Sequence, residues 1–151
     1  MNTLNSEAAL FISNWEGFRA HAYWDVNHWR IGYGSDTEGP DEVPVVKGMM
    51  TTVERALQNL SLRVGQFKTM VITELGHPPE GARIFQQLNL WQQVALIDLC
   101  YNYGHLPVEI YPGDPERTAI GIKARAGDNN GINRKRRIAE ADYYMRPPPK
   151  E

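Results

Sequence analysis

The chain has 151 residues, 42% hydrophobic and 23% charged, with a formal net charge of −2 and a pI near 6.1. That is the size and composition of one soluble domain with a real core, and it argues against a protein built around nucleic-acid binding, which carries a strong basic excess. The single Cys100 cannot form an internal disulfide, no apolar run approaches the roughly 20 residues that span a bilayer, and the opening "MNTLNSEAALFISNWE" lacks the basic start of a signal peptide.

From Ser6 to Trp15 the apolar residues Ala8, Phe11, Ile12 and Trp15 recur at helical spacing, with Glu7 in the first turn and Gly17 as a stop. Residues 22–34 change period. Trp29, Ile31 and Tyr33 alternate with Arg30, Gly32 and Gly34, which predicts a strand, and Val26-Asn27-His28 is placed to turn a hairpin. Residues 35–48 hold two prolines and two glycines and read as a loop, with a third short strand near Val45. From Thr51 the pattern is helical, with Val53, Leu57, Leu60 and Val64 on one face behind a threonine cap. Helical segments follow at 80–88, 89–104, 114–127 and 132–145, each bounded by Gly, Pro or Asn. The run 90–101 is apolar nearly all round, so it is expected to be the central buried helix, with Cys100 as a small buried hydrophobe. Pro147–Pro149 should end the last helix. The expected class is α+β, mostly helical: a small α/β lobe at 1–50 with a β-hairpin, a bridging helix at 51–66, and a helical lobe at 67–151. A cleft between two such lobes is a natural binding place.

The stretch "NWEGFRAHAYWDVNHWRIGYG" concentrates the chemistry. Splitting a glycosidic bond needs one carboxylic acid to protonate the leaving oxygen and a second carboxylate across the ring. Glu16 suits the acid, because a helix C-terminus and the neighbouring aromatics Trp15 and Phe18 both disfavour its charged form. Asp25, on a strand edge beside a turn, sits in a wetter place that keeps it ionised. A helix-end glutamate and a turn aspartate are also ordinary surface residues. Trp24 and Trp29 flank the carboxylates and can stack on sugar rings or fill a buried strand face. Gly32 and Gly34 admit close approach of a ligand, or serve a twisted sheet. His28 reads as a turn residue and, alternatively, a substrate contact; Asn102 either closes its helix end or reaches the cleft. His21, His28, His77 and His105 are scattered without metal-ligand spacing, so no metal or cofactor is expected. The consecutive Arg134, Lys135, Arg136 and Arg137 predict a solvated face at a helix start, or else a contact with phosphates or wall carboxylates.

These residues resemble the phage-type lysozymes of glycoside hydrolase family 24. "EGFRAHAYWD" is similar to the family's E-G-x-R-x-x-x-Y-x-D opening and "IGYG" to its I-G-x-G strand. "VKGMMTTVERALQNL" looks like the entry to the family's interlobe helix, "QQVALIDLCYNYG" like its helix ending in F/Y-N-x-G, and "GINRKRRIAEADYY" like its terminal segment. The resemblance implies a single two-lobed lysozyme-like domain that cleaves the β-1,4 bond between N-acetylmuramic acid and N-acetylglucosamine. It assigns Glu16 as the acid and Asp25 as the partner carboxylate. It further implies a monomer acting on peptidoglycan glycan strands without membrane insertion. Such a protein is made in the host cytoplasm and reaches the wall by a holin-dependent route.

One position departs from the pattern. Where family members usually have a threonine directly before I-G-x-G, this chain has Arg30, and the hairpin is one residue shorter. Arg30 is expected to ion-pair Asp25 or bind a substrate carbonyl or carboxylate, with Ser35 or Thr37 supplying a hydroxyl from another direction. Hydrolysis, a transglycosylase outcome, a non-catalytic wall-binding or virion module and an antibacterial effector all share this fold.

Overall fold

The computed structural model describes residues 3–150; Met1 and Asn2, the start of the stretch without signal-peptide character, lie outside them. The chain divides into two compact units, Met1–Gly65 and Gln66–Glu151, with the boundary inside one helix.

In the first unit, α1 (Thr3–Trp15) buries Leu4, Ala8, Ala9, Phe11 and Ile12, the stripe that the helical spacing predicts. Strands β1 (Arg19–Asp25) and β2 (His28–Gly32) form an antiparallel hairpin in which Tyr23 faces Arg30, Trp24 faces Trp29 and Asp25 faces His28. The turn is therefore tighter than Val26-Asn27-His28, since His28 already belongs to β2. Val26 takes φ +55° and the Asn27 amide donates to the Asp25 carbonyl across it at 2.6 Å. A β-branched residue in the left-handed region is strained, and it occupies the tip of a hairpin with only two residues between its strands.

The other side of β1 is partly covered by 49–51: the Ala22 amide donates to the Met49 carbonyl at 2.9 Å, and the Thr51 amide to that of Ala20 at 2.8 Å. The segment 35–48 is not the loop its prolines and glycines predict. It forms a second small hairpin of β3 (Thr37–Glu38) and β4 (Val43–Pro44), with Val45, expected in a strand, just beyond β4 and buried. Helix α2 (Val53–Leu75) starts behind Thr52, whose hydroxyl accepts the Arg55 amide at 3.2 Å. Gly32 ends β2 at φ +66°, where an added Cβ would stand 3.0 Å from the Ala56 Cβ. Its lack of a side chain serves helix–strand packing rather than ligand approach.

The second unit is helical, with α3 (Glu80–Gln87), α4 (Leu90–Tyr103), α5 (Pro115–Ala124), a 3₁₀ segment at Arg125–Gly131, and α6 (Arg134–Tyr144). α4 opens with a reciprocal capping box between Asn89 and Gln92 and closes on Gly104 at φ +81°. Every residue from Val94 to Cys100 is buried, so α4 is the central helix its composition predicts. Burying Val94, Leu96, Ile97 and Leu99 stabilises the unit by about 1.5–3 kcal/mol for each side chain. Burial pushes the Cys100 thiol up to about 12, with the Glu74 charge adding to the effect.

Asp98 interrupts that apolar run, and the basic run of α6 answers it. Arg136 donates to Asp98 through Nε at 2.9 Å and Nη2 at 2.6 Å, and Arg137 donates to Glu140 through Nη2 at 2.9 Å, with Nε 2.5 Å from Oε1. All four side chains are buried, so the expectation of a solvated or phosphate-binding basic face fails for Arg136 and Arg137. A charge in an apolar core must be paired, and Arg136 supplies the pairing for Asp98. Arg137 also lies over the Tyr103 ring at 4.9 Å, and the Tyr103 hydroxyl donates to Asp128 at 2.7 Å.

Candidate active site

Both carboxylates singled out in the sequence lie in the first unit. Glu16 directly follows the last residue of α1, and its amide donates to the Ile12 carbonyl at 3.1 Å. That bond holds the glutamate at the helix terminus, where it is half-buried beside Trp15. Phe11 and Trp15 sit with ring centroids 6.2 Å apart on the preceding turns, and Phe18 packs on Tyr33 at 5.5 Å. The glutamate thus stands at the carbonyl end of a helix, where the helix dipole disfavours a negative charge.

Asp25 ends β1, and the hairpin register decides its partner. Residues facing each other across an antiparallel pair point to the same side, so Tyr23, Asp25, His28 and Arg30 share one face. On that face Arg30 lies diagonally from Asp25 and donates to it from Nε at 2.7 Å. Its Nη1 donates at 2.8 Å to the carbonyl of Gly34. The guanidinium thereby ties the end of β1 to the turn that follows β2. That turn is itself fixed by the Ile31 amide donating to the Ser35 carbonyl and the Ser35 amide to that of Ile31, at 2.9 and 3.0 Å. The pair is only part-buried, with the Arg30 side chain 30% exposed and that of Asp25 44%.

The opposite face carries Trp24 and Trp29, edge to face with centroids 5.6 Å apart, and the buried Ile31. Trp24 remains 58% exposed, whereas Trp29 is half-buried. The His28 Nδ1 meets the Asn27 side-chain oxygen. Ser35 follows Gly34 in the turn, whereas Thr37 lies in β3 with its carbonyl accepting from Asn59 Nδ2 at 2.8 Å. Among the described residues, no hydrogen bond joins the Ser35 or Thr37 hydroxyl to the Asp25–Arg30 pair. Asn102 belongs to the other unit, in the last turn of α4. Among the described residues no three His, Cys, Asp or Glu side chains gather as a metal site, and no helix is long and apolar enough to cross a membrane.

Sequence reasoning did not find Asp98, Arg136, Arg137 and Glu140 as one buried set. The available signal was a lone aspartate in an otherwise apolar helix, which demands a cation from elsewhere in the chain.

A carboxylate at a helix end, a second one on the following hairpin, and mostly helical structure beyond define a lysozyme-like α+β protein. The chain belongs to the phage lysozyme family, whose model matches residues 13–135 and so covers Glu16, Asp25 and Arg30. Three solved structures share the fold. A single-residue mutant of P22 lysozyme matches at 23% identity and TM-score 0.69, over 97% of this chain and 100% of that one. An endolysin from Escherichia coli O157:H7 phage FAHEc1 matches at 25% identity and TM-score 0.67, over 99% and 96% of the two chains. The muramidase domain of SpmX from Asticaccaulis excentricus matches at 21% identity and TM-score 0.66, over 93% and 96%. No curated protein matches the sequence significantly.

Proposed function

We propose that the chain is a muramidase that cleaves the β-1,4 bond between N-acetylmuramic acid and N-acetylglucosamine. Family membership supports a peptidoglycan hydrolase of the glycosidase type; the bond and the roles below are our reading. Glu16 donates a proton to the glycosidic oxygen as the bond to the anomeric carbon breaks. Asp25 faces the positive charge that develops on the sugar ring. Arg30 holds Asp25 in place through the 2.7 Å contact, and its remaining Nη donors are available to a substrate carbonyl or carboxylate. Trp24 offers a ring on which a sugar can stack, with His28, Gly34 and Ser35 as further substrate contacts. Thr37 takes part only if β3 delivers its hydroxyl to the substrate. No cofactor enters this scheme. The protein acts as a monomer on glycan strands beyond the membrane, released through a holin-type route.

The observation that carries this reading is the 2.7 Å Asp25–Arg30 contact on the hairpin that follows Glu16. The same contact favours a second outcome. One Asp25 oxygen is committed to Arg30, which leaves a single oxygen to position a water and favours attack by the sugar's own hydroxyl. Mass spectrometry of products from purified peptidoglycan separates the possibilities. Reducing muramic ends are expected for hydrolysis; anhydro ends would establish a transglycosylase, and an absence of products a binding module.

A further inference from the structure

A groove of about 370 Å³ lies in the first unit between the β3–β4 hairpin and α2, and the proposed chemistry does not use it. Its size falls in the small-ligand range of roughly 300–1,000 Å³. On the helix side, Arg55, Gln58, Asn59 and Leu62 form a single stripe at helical spacing. The hairpin side is built to persist. Asn59 accepts the Gly39 amide at 2.9 Å and donates to the Thr37 carbonyl at 2.8 Å, while Arg63 binds Glu42 at 2.7 Å and also the Gly39 carbonyl. The groove is therefore a fixed feature rather than a gap beside a loose loop.

Its lining has two characters. Pro40, Val43, Met49 and Leu62 form an apolar wall, and Val43 and Leu62 are 53% and 50% exposed. Arg55 and Glu38 also line it, and stand 3.8 Å apart. That separation is too long for a hydrogen bond. Arg55 is 63% exposed and Glu38 only 14%. The pair is loose, so each charge can be given to a ligand at little cost. Among the described residues no aromatic ring lines the groove, which disfavours a sugar, and among them one cation stands beside one anion, which disfavours a polyanion. What fits is a short zwitterionic chain with small apolar side groups.

We infer that this groove is an accessory site for the peptide stem of peptidoglycan: Arg55 takes a stem carboxylate, Glu38 the ammonium of its diamino acid, and Val43 and Leu62 the alanine methyl groups. This rests on peptidoglycan being the substrate. Stem binding would hold the wall against the unit that carries Glu16 and Asp25 without taking part in bond cleavage.

The test is an NMR titration of the full chain with the tetrapeptide L-Ala-γ-D-Glu-diaminopimelate-D-Ala, with chitotetraose as comparator. Saturable shifts confined to Arg55, Val43, Leu62 and their neighbours are expected, with a Kd of about 0.1–1 mM. Arg55→Glu is expected to weaken binding at least about tenfold, by turning an attractive charge repulsive. Leu62→Ser, an exposed change that spares the fold, should weaken it too. Both variants should cleave stem-free glycan strands as the parent does while showing a raised KM on intact wall. No saturation by about 10 mM peptide, shifts centred elsewhere, or parent-like binding by both variants would overturn the inference. The two readings fail separately: cleavage without stem binding removes only this site, and stem binding without cleavage products removes only the hydrolase.

Discussion

Two arginine–carboxylate pairs in this protein use the same groups at nearly the same distance and do different work. Arg136 and Asp98 meet at 2.6 Å with side chains 2% and 0% exposed; Arg30 and Asp25 meet at 2.7 Å with side chains 30% and 44% exposed. The buried pair has no access to a ligand, and each partner exists to neutralise the other between α4 and α6. The hairpin pair keeps lone pairs and donors facing water. Contact distance does not distinguish the two pairs; burial does.

That distinction can be broken most forcefully at Asp98. Asp98→Ala leaves Arg136 buried without its bidentate partner and is expected to cost about 3–5 kcal/mol in denaturant-induced unfolding. A loss below about 1 kcal/mol, the scale of an exposed pair, would show that the core charge is solvated after all. Arg30→Ala should do the reverse. Its unfolding free energy should change by less than about 1 kcal/mol, while turnover on peptidoglycan falls. An unchanged rate would make Arg30 a surface residue and turn attention to Ser35 and Thr37. Arg30→Thr is not expected to restore a family-type site, because the shortened hairpin with its strained Val26 also displaces the backbone.

A subtler contrast concerns pH. Burial pushes the Glu140 carboxyl up from 4.5 to about 10, with the neighbouring Asp98 adding to the rise and Arg137 and Arg136 opposing it. A carboxyl whose folded value lies above its unfolded one holds its proton more firmly in the native state. Its contribution is fully present below about pH 4.5 and declines as pH rises towards 10. Glu140→Gln should therefore flatten the fall of thermal stability across that window, and a slope equal to the parent's would contradict the assignment. Smallest of all is the effect expected at Cys100. Its thiol, raised to about 12, should resist alkylation in the native protein near pH 8 and react only after unfolding. Rapid native labelling would mean that α4 opens far more readily than its burial indicates.

Much of this was legible in the sequence, for local reasons. α4 announced itself because it is apolar nearly all round, and the first hairpin because Trp29, Ile31 and Tyr33 alternate with Arg30, Gly32 and Gly34. The Asp25–Arg30 contact followed from their places either side of a short turn. What escaped reading depends on partners distant along the chain. β3 is two residues long and its hairpin is held by Asn59 and Arg63 from α2, so no periodicity within 35–48 could reveal it; β4 lies beside the short strand expected near Val45. Arg136 and Arg137 look like a hydrophilic run until Asp98, 38 residues before Arg136, requires one of them inside. His28 was placed in the turn because nothing local says that Val26 will accept a positive φ.

The claim that matters most is that Glu16 is the acid of a glycosidase, and Glu16→Gln tests it directly. The amide keeps the size of the side chain and its place after α1 but has no acidic proton to give. With circular dichroism and unfolding midpoint matching the parent, release of muropeptides from purified peptidoglycan is expected to fall by at least ~10²-fold. A folded Glu16→Gln protein that cleaves the wall at near-parent rate would contradict the account.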